Sequence, residues 1–144
     1  MTDEFLQFAQ KALIIKNNKL LIIKKSTKDI NSPNQWEVPG GRKQVGENLE
    51  QHIIREVKEE VGLDILPKEI FDMWEFSIPV NGKKNTVVAV ARFCELTNEN
   101  IVITEDVIDN YKWADINEKL LDYNLIPGIR KTIEKLIAKF TNKN

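Results

Sequence analysis

The chain has 144 residues, 30% of them charged, with a net charge of −1. That length suits one domain around one core, and the near-neutral balance points away from nucleic acid polymers and anionic membranes as partners. Cys94, the one cysteine, can close no internal disulfide, and with His52 as the one histidine a histidine-rich zinc site is excluded. No apolar run approaches membrane-spanning length, and the start Met1-Thr2-Asp3-Glu4 is acidic where a secretion signal is basic, so the expected location is cytoplasmic.

In chain order, residues 8–15 and 20–25 read as two strands around a turn at Asn17-Asn18. Lys24 and Lys25 end the second strand. Residues 26–35 form a polar loop with Pro33, of a length that suits a lid. Residues 36–38 read as a short strand. Pro39-Gly40-Gly41 then turns the chain, and the glycines let backbone come close to a ligand.

A helix is predicted over residues 49–61. Leu49, Ile53, Ile54, Val57 and Val61 form its apolar arc. Glu47 opens it, and Gly62 suits its C-cap. Glu56, Glu59 and Glu60 fall on one flank, with Arg55 placed to pair with Glu59. His52 lies on the same flank and is expected at the surface.

Pro67 is expected to break the chain. Residues 70–78 and 86–94 then read as a hairpin around Asn81-Gly82, with Cys94 a small buried side chain. Residues 101–103 and 111–114 read as further short strands, with Glu105-Asp106 in the loop between them. The last helix starts near Pro127. It buries Ile129, Ile133, Leu136, Ile137 and Phe140 and turns Arg130, Lys131, Lys135 and Lys139 to water. This order predicts an α/β (α+β) sandwich over residues 1–144, a mixed central sheet with helices on both faces.

Three clustered glutamates repel one another unless a cation relieves them. Their oxygens suit a hard divalent ion such as Mg²⁺ or Mn²⁺. The pattern Gly41, Glu47, Arg55-Glu56, Glu59-Glu60, Gly62 is also highly specific. Roughly seven fixed residue types at about one in fifteen each match by chance on the order of once in a hundred million start positions.

Residues 41–63 resemble the signature of the Nudix hydrolases (MutT-like), without a departure, and Trp36-Glu37-Val38-Pro39-Gly40 resembles what precedes it in many members. The resemblance implies the Nudix fold and a metal-dependent hydrolase of a nucleoside diphosphate linked to another group. It implies Glu56 and Glu60 as metal ligands, with Glu59 next and the Gly41 carbonyl as a further ligand. Arg55 would orient a glutamate, and Lys25 would meet substrate phosphate. Glu56 and Glu105 both stand as general base, with Asp106 and Glu99 as alternatives to Glu105.

For the substrate, Asn124 resembles the asparagine that reads an oxidised purine in MutT-type enzymes, which implies a nucleoside triphosphate. Read structurally, Asn124 is an N-cap for the last helix. The spacing of Pro79 from Leu63 resembles the ADP-ribose pyrophosphatases, the alternative enzyme class. A nucleotide-binding sensor without activity is the reading from another class, and a homodimer is expected by family analogy.

Overall fold

The computed structural model describes residues 4–142. Its strands are β1 (Glu4–Lys16), β2 (Lys19–Lys25), β3 (Trp36–Glu37), β4 (Gly40–Arg42), β5 (Ile65–Val80), β6 (Lys83–Leu96) and β7 (Ile108–Asp115). Its helices are α1 (Leu49–Val61) and α2 (Pro127–Thr141), with a 3₁₀ turn at Glu118–Asp122. Among the described residues no helix is long and apolar enough to cross a membrane.

The strands join in one mixed sheet ordered β3-β2-β1-β6-β5, with β4 also on β1 and β7 also on β2. β1 and β6 run parallel from Glu4↔Lys84 to Ile14↔Cys94, and every other pairing is antiparallel. Asn17 and Asn18 turn β1 into β2 with φ of 52° and 60°. This is the left-handed pair that a tight hairpin requires and that asparagine tolerates.

Alternation along β1 and β2 splits the core in two, because successive side chains leave a strand on opposite faces. Leu13, Leu20 and Ile22 meet Ile129, Ile133 and Leu136 of α2. Ala12, Ile14, Leu21 and Ile23 meet Ile53, Val57 and Val61 of α1. One helix therefore covers each face, as expected.

The ends of α1 explain its span. The Asn48 side chain accepts from the Gln51 N–H, and the Gln51 side chain accepts from the Asn48 N–H. Gly62 closes the helix at φ 73°, its N–H donating to the Lys58 carbonyl.

Several local expectations are corrected. Glu47 lies before the Asn48 cap and so outside the helix. Leu49 and Ile54 are exposed at 43% and 38%, because the buried arc runs instead through His52, Ile53, Val57, Glu60 and Val61. Pro67 does not break the chain. It sits inside β5 next to a register shift, tolerated because β5 is an edge strand whose outer N–H groups need no partner. Residues 101–103 form no strand; the Val102 N–H donates to the Val61 carbonyl, so the segment closes the end of α1. The cap of α2 is Ile126, not Asn124, and Arg130 is half-buried, donating to the Leu121 carbonyl.

Candidate active site

A cavity of about 750 Å³ opens between the sheet, the β3–β4 segment and the start of α2. Its lining is segregated. Lys11, Lys25, Arg42, Lys43, Glu37 and Glu56 gather toward β4 and the acidic flank of α1. Trp74, Phe76, Ile78 and Val87 wall the part over β5 and β6, with Ile126 and Pro127 of α2 facing them.

Glu60 is buried, 5% exposed, and accepts from the Gly40 N–H at 2.6 Å. Burial pushes its carboxyl up to about 7, against the pull of Lys25, Lys11 and that N–H. Lys25 Nζ stands 3.6 Å from Glu60 Oε2. Burial works to lower Lys25, but Glu60, Glu37 and Asp29 outweigh it and raise the amine above its ordinary value. Glu56 is raised by burial and by Glu59, with Arg55 opposing. Lys11 pairs with Glu37 at 2.7 Å.

Gly41 leaves room for the Glu56 carboxylate, which a side chain here would displace. A Cβ at this position would stand 2.6 Å from Glu56 Oε2. The backbone of β4 and the Glu56 carboxylate thus share a space that any side chain would fill. Gly40 is the stricter of the two: at φ 148° a Cβ there would meet the Gln10 carbonyl oxygen, fixed backbone, at 2.1 Å.

Arg55 organises the flank. Its Nε and Nη2 donate to both oxygens of Glu47 at 2.8 and 2.7 Å, and Nη1 reaches Glu56 and Glu59, each at 3.1 Å. The hydrogen bonds from Arg55 hold Glu47 down at about 2. They also raise Arg55 above its ordinary value. The expected Arg55–Glu59 pair is present, but Glu47 is the principal partner.

His52 is a correction: it is fully buried, not at the surface. Arg92 Nη1 donates to Gln10 Oε1 at 3.3 Å, which turns Gln10 Nε2 toward the Leu49 carbonyl and His52 Nδ1, each at 2.8 Å. Nδ1 therefore accepts, and the proton on Nε2 donates to the Gly41 carbonyl at 2.9 Å. Burial lowers the imidazole below its ordinary value, so the neutral ring fits this arrangement.

Of the site residues expected from the sequence, Gly41, Glu56, Glu60 and Lys25 come together. Glu59 stays on the outer side of α1, 47% exposed at its side chain and held by Arg55. Glu105 and Asn124 do not line the cavity. Glu105 lies in the loop before β7, where its carbonyl accepts from the Ile108 N–H. Asn124 is exposed, with its carbonyl accepting from the Trp36 N–H. Lys11, Gln10 and the Trp74 wall were missed. The available signal was Gln10-Lys11, a polar pair between the apolar Phe8-Ala9 and Ala12-Leu13-Ile14-Ile15 of β1.

Among the described residues no three Asp, Glu, His or Cys side chains already cage an ion. The donors nevertheless fit a hard divalent cation: two carboxylates with raised pKa, a carbonyl, and the space kept open at Gly41.

Comparison with known proteins agrees with this fold. Nucleoside triphosphatase NudI of Escherichia coli K12 is 32% identical over 109 residues, 70% of this chain and 75% of that protein. The MutT protein from Methanosarcina mazei Go1 superposes with a TM-score of 0.76 at 20% identity, over 99% of this chain and 100% of that one. An ADP-ribose pyrophosphatase from Streptococcus suis 89-1591 superposes at 0.67 and 19% identity, over 96% and 93%. The family model of the NUDIX domain matches residues 7–136. The chain belongs to the NUDIX domain family, whose hydrolases act on the pyrophosphate bonds of nucleotides with the help of divalent metal ions.

Proposed function

We propose that this chain is a Mg²⁺-dependent pyrophosphohydrolase that converts a nucleoside triphosphate to the monophosphate and pyrophosphate. The observation that carries the reading is the segregated cavity, with cations and acids at one end and aromatic and aliphatic walls at the other. A triphosphate needs the first and a base needs the second. The similarity to NudI, named a nucleoside triphosphatase, supports the same choice.

In this reading Glu56, Glu60 and the Gly41 carbonyl hold the metal, with Glu59 swinging in from Arg55 as a further ligand. When bound, the metal neutralises phosphate oxygens and lowers the pKa of a water. Lys25, Lys11, Arg42 and Lys43 bind the phosphate chain and orient it. Arg55 fixes the Glu47 and Glu56 carboxylates so that they enter the site already placed. Glu56 is the general base in this proposal, because it lines the cavity and Glu105 does not.

The test is Mg²⁺-dependent hydrolysis of nucleoside triphosphates, ADP-ribose and dinucleoside polyphosphates, with products identified. Release of pyrophosphate and a monophosphate from a triphosphate is expected. Preference for ADP-ribose, giving AMP and ribose phosphate, overturns the substrate. Nucleotide binding with no turnover of any compound would make the chain a sensor.

A further inference from the structure

We infer that Gln7 and Asn85 form a base-reading pair that selects nucleobases carrying a carbonyl oxygen over those carrying an amino group at the same position. The inference rests on the triphosphate reading above and deepens it.

Lys11, Ala9 and Gln7 lie on one face of β1 and all line the cavity. The strand therefore grades from charged to small to amide as it leaves the acidic end. Lys11 and Gln7 are about 13 Å apart at the usual rise of an extended chain. Val87 lies opposite Gln7 on β6, and Phe76 lies opposite Val87 on β5. Ala9 and Val87 leave a low floor on the sheet, and Trp74 and Phe76 flank it. A flat aromatic ring fits against such a surface. The amide at its far edge is then the group that meets the ring's polar atoms.

The orientation of that amide is set from behind. Asn85 is 2% exposed, and its Nδ2 donates to Gln7 Oε1 at 2.6 Å. This bond turns Oε1 toward Asn85 and leaves the Nε2 donors, which have no hydrogen-bonded acceptor among the described residues, as the groups Gln7 offers a ligand. Asn85 Oδ1 is buried without a partner. Turning both amides over would bury an unpaired NH₂ in its place, and an orphaned donor is the rarer and costlier defect. Gln7 therefore presents donors to the cavity, and Asn85 is the positioning residue that keeps them there. A base carbonyl satisfies these donors. A base amino group sets donor against donor and leaves both unpaired.

The experiment compares kcat/KM, with Mg²⁺, for two matched pairs, ITP with ATP and dUTP with dCTP, whose members differ in oxo against amino at this position and in the protonation of the adjacent ring nitrogen. The oxo member is expected to win by about tenfold or more in at least one pair, since a site built to hydrogen-bond a group discriminates against its absence. In that pair Gln7→Leu is expected to bring the ratio within about threefold by slowing the oxo member alone. Asn85→Leu is expected to relax the same ratio with Gln7 still present. Circular dichroism and the thermal midpoint of each variant check that it is folded. A ratio near one, a preference for the amino member in both pairs, or a preference that survives Gln7→Leu overturns the inference. Turnover of none of the four nucleotides overturns the triphosphate reading itself, and this inference with it.

Discussion

The two helices cover opposite faces of the same sheet and bury different chemistry. α2 buries Ile129, Ile133, Leu136 and Ile137, with Thr132 hydrogen-bonded through its hydroxyl. α1 buries Ile53, Val57 and Val61, but also His52 and Glu60. A buried carboxylate and a buried imidazole are poor choices for stability, since taking an ionised group out of water costs several kcal/mol before its partners repay it. Beyond its first turn, which walls the cavity, the buried stripe of α2 serves packing. The α1 face gives up packing for polar groups aimed at β4, and that difference marks α1 as the helix that supplies the acids of the site, while the start of α2 only walls the cavity.

The sharpest way to break this comparison is to change one buried residue on each helix. Glu60→Gln is expected to lower kcat on the order of 10³-fold, several kcal/mol of transition-state stabilisation. The thermal midpoint should move little. Glutamine keeps an acceptor for the Gly40 N–H, and Lys25 still faces Glu37 and Asp29. Ile133→Ala should do the reverse. Denaturant unfolding should show a loss of about 2–5 kcal/mol, with kcat per folded molecule unchanged. If Glu60→Gln unfolds the protein, or Ile133→Ala lowers kcat at full folding, the division of labour between the faces is wrong.

Of intermediate size is the effect of His52. Its Nε2–H holds the Gly41 carbonyl, and Gln10 fixes the tautomer. Groups that orient a metal ligand from behind are typically worth about 10–100-fold in affinity. His52→Gln should weaken Mn²⁺ binding by that factor, read as free Mn²⁺ in EPR titrations. Unchanged affinity would return His52 to a packing role and make α1 more like α2.

How far the sequence disclosed this arrangement also differs between the faces. The aliphatic period of α2 named Ile129, Ile133, Leu136 and Ile137, because packing selects residue type at fixed spacing, but it missed the buried Thr132 and overstated Phe140, which is only partly buried. On α1 the same reasoning placed the helix ends but misassigned its sides. It set Leu49 and Ile54 inside and His52 outside. Hydrophobicity decides the side only when no polar partner is waiting. Gln10 comes from a strand far earlier in the chain, so the pairing that draws His52 inward is visible only after folding. The glutamates proposed to hold the metal stood out in the sequence because their spacing is fixed within one helix. Gln7 and Asn85 were not, since a parallel pairing of β1 with β6 brings them together.

The thiol of Cys94 offers a smaller check on the α1 side. Burial pushes it up to about 12. At pH 8 the thiolate fraction is then negligible, and iodoacetamide should modify the native protein at a small fraction of its rate on the urea-unfolded chain. Rapid native labelling, followed by mass spectrometry, would mean that the α1 core opens far more readily than its packing implies.

The smallest effect belongs to an acid that ties α2 to the sheet. Asp72 of β5 accepts from Thr132 Oγ1 at 2.6 Å and from Lys135 Nζ at 3.0 Å, and also from the Met73 N–H. Burial works to raise its carboxyl, but these hydrogen bonds outweigh it and hold the group below its ordinary value of 3.8. A carboxylate depressed in the folded state binds its proton more weakly there than in the unfolded chain. Its stabilisation is therefore complete above the unfolded pKa and is lost as pH falls through the folded one. Urea unfolding at pH 7 should show Asp72→Asn less stable than the parent by about 1 kcal/mol. The gap should close as the pH is taken below 4, where the parent loses the same charge. A gap that persists at low pH would assign the contribution to shape and hydrogen bonding without charge. The α2 face would then owe nothing to electrostatics, and its contrast with α1 would be complete.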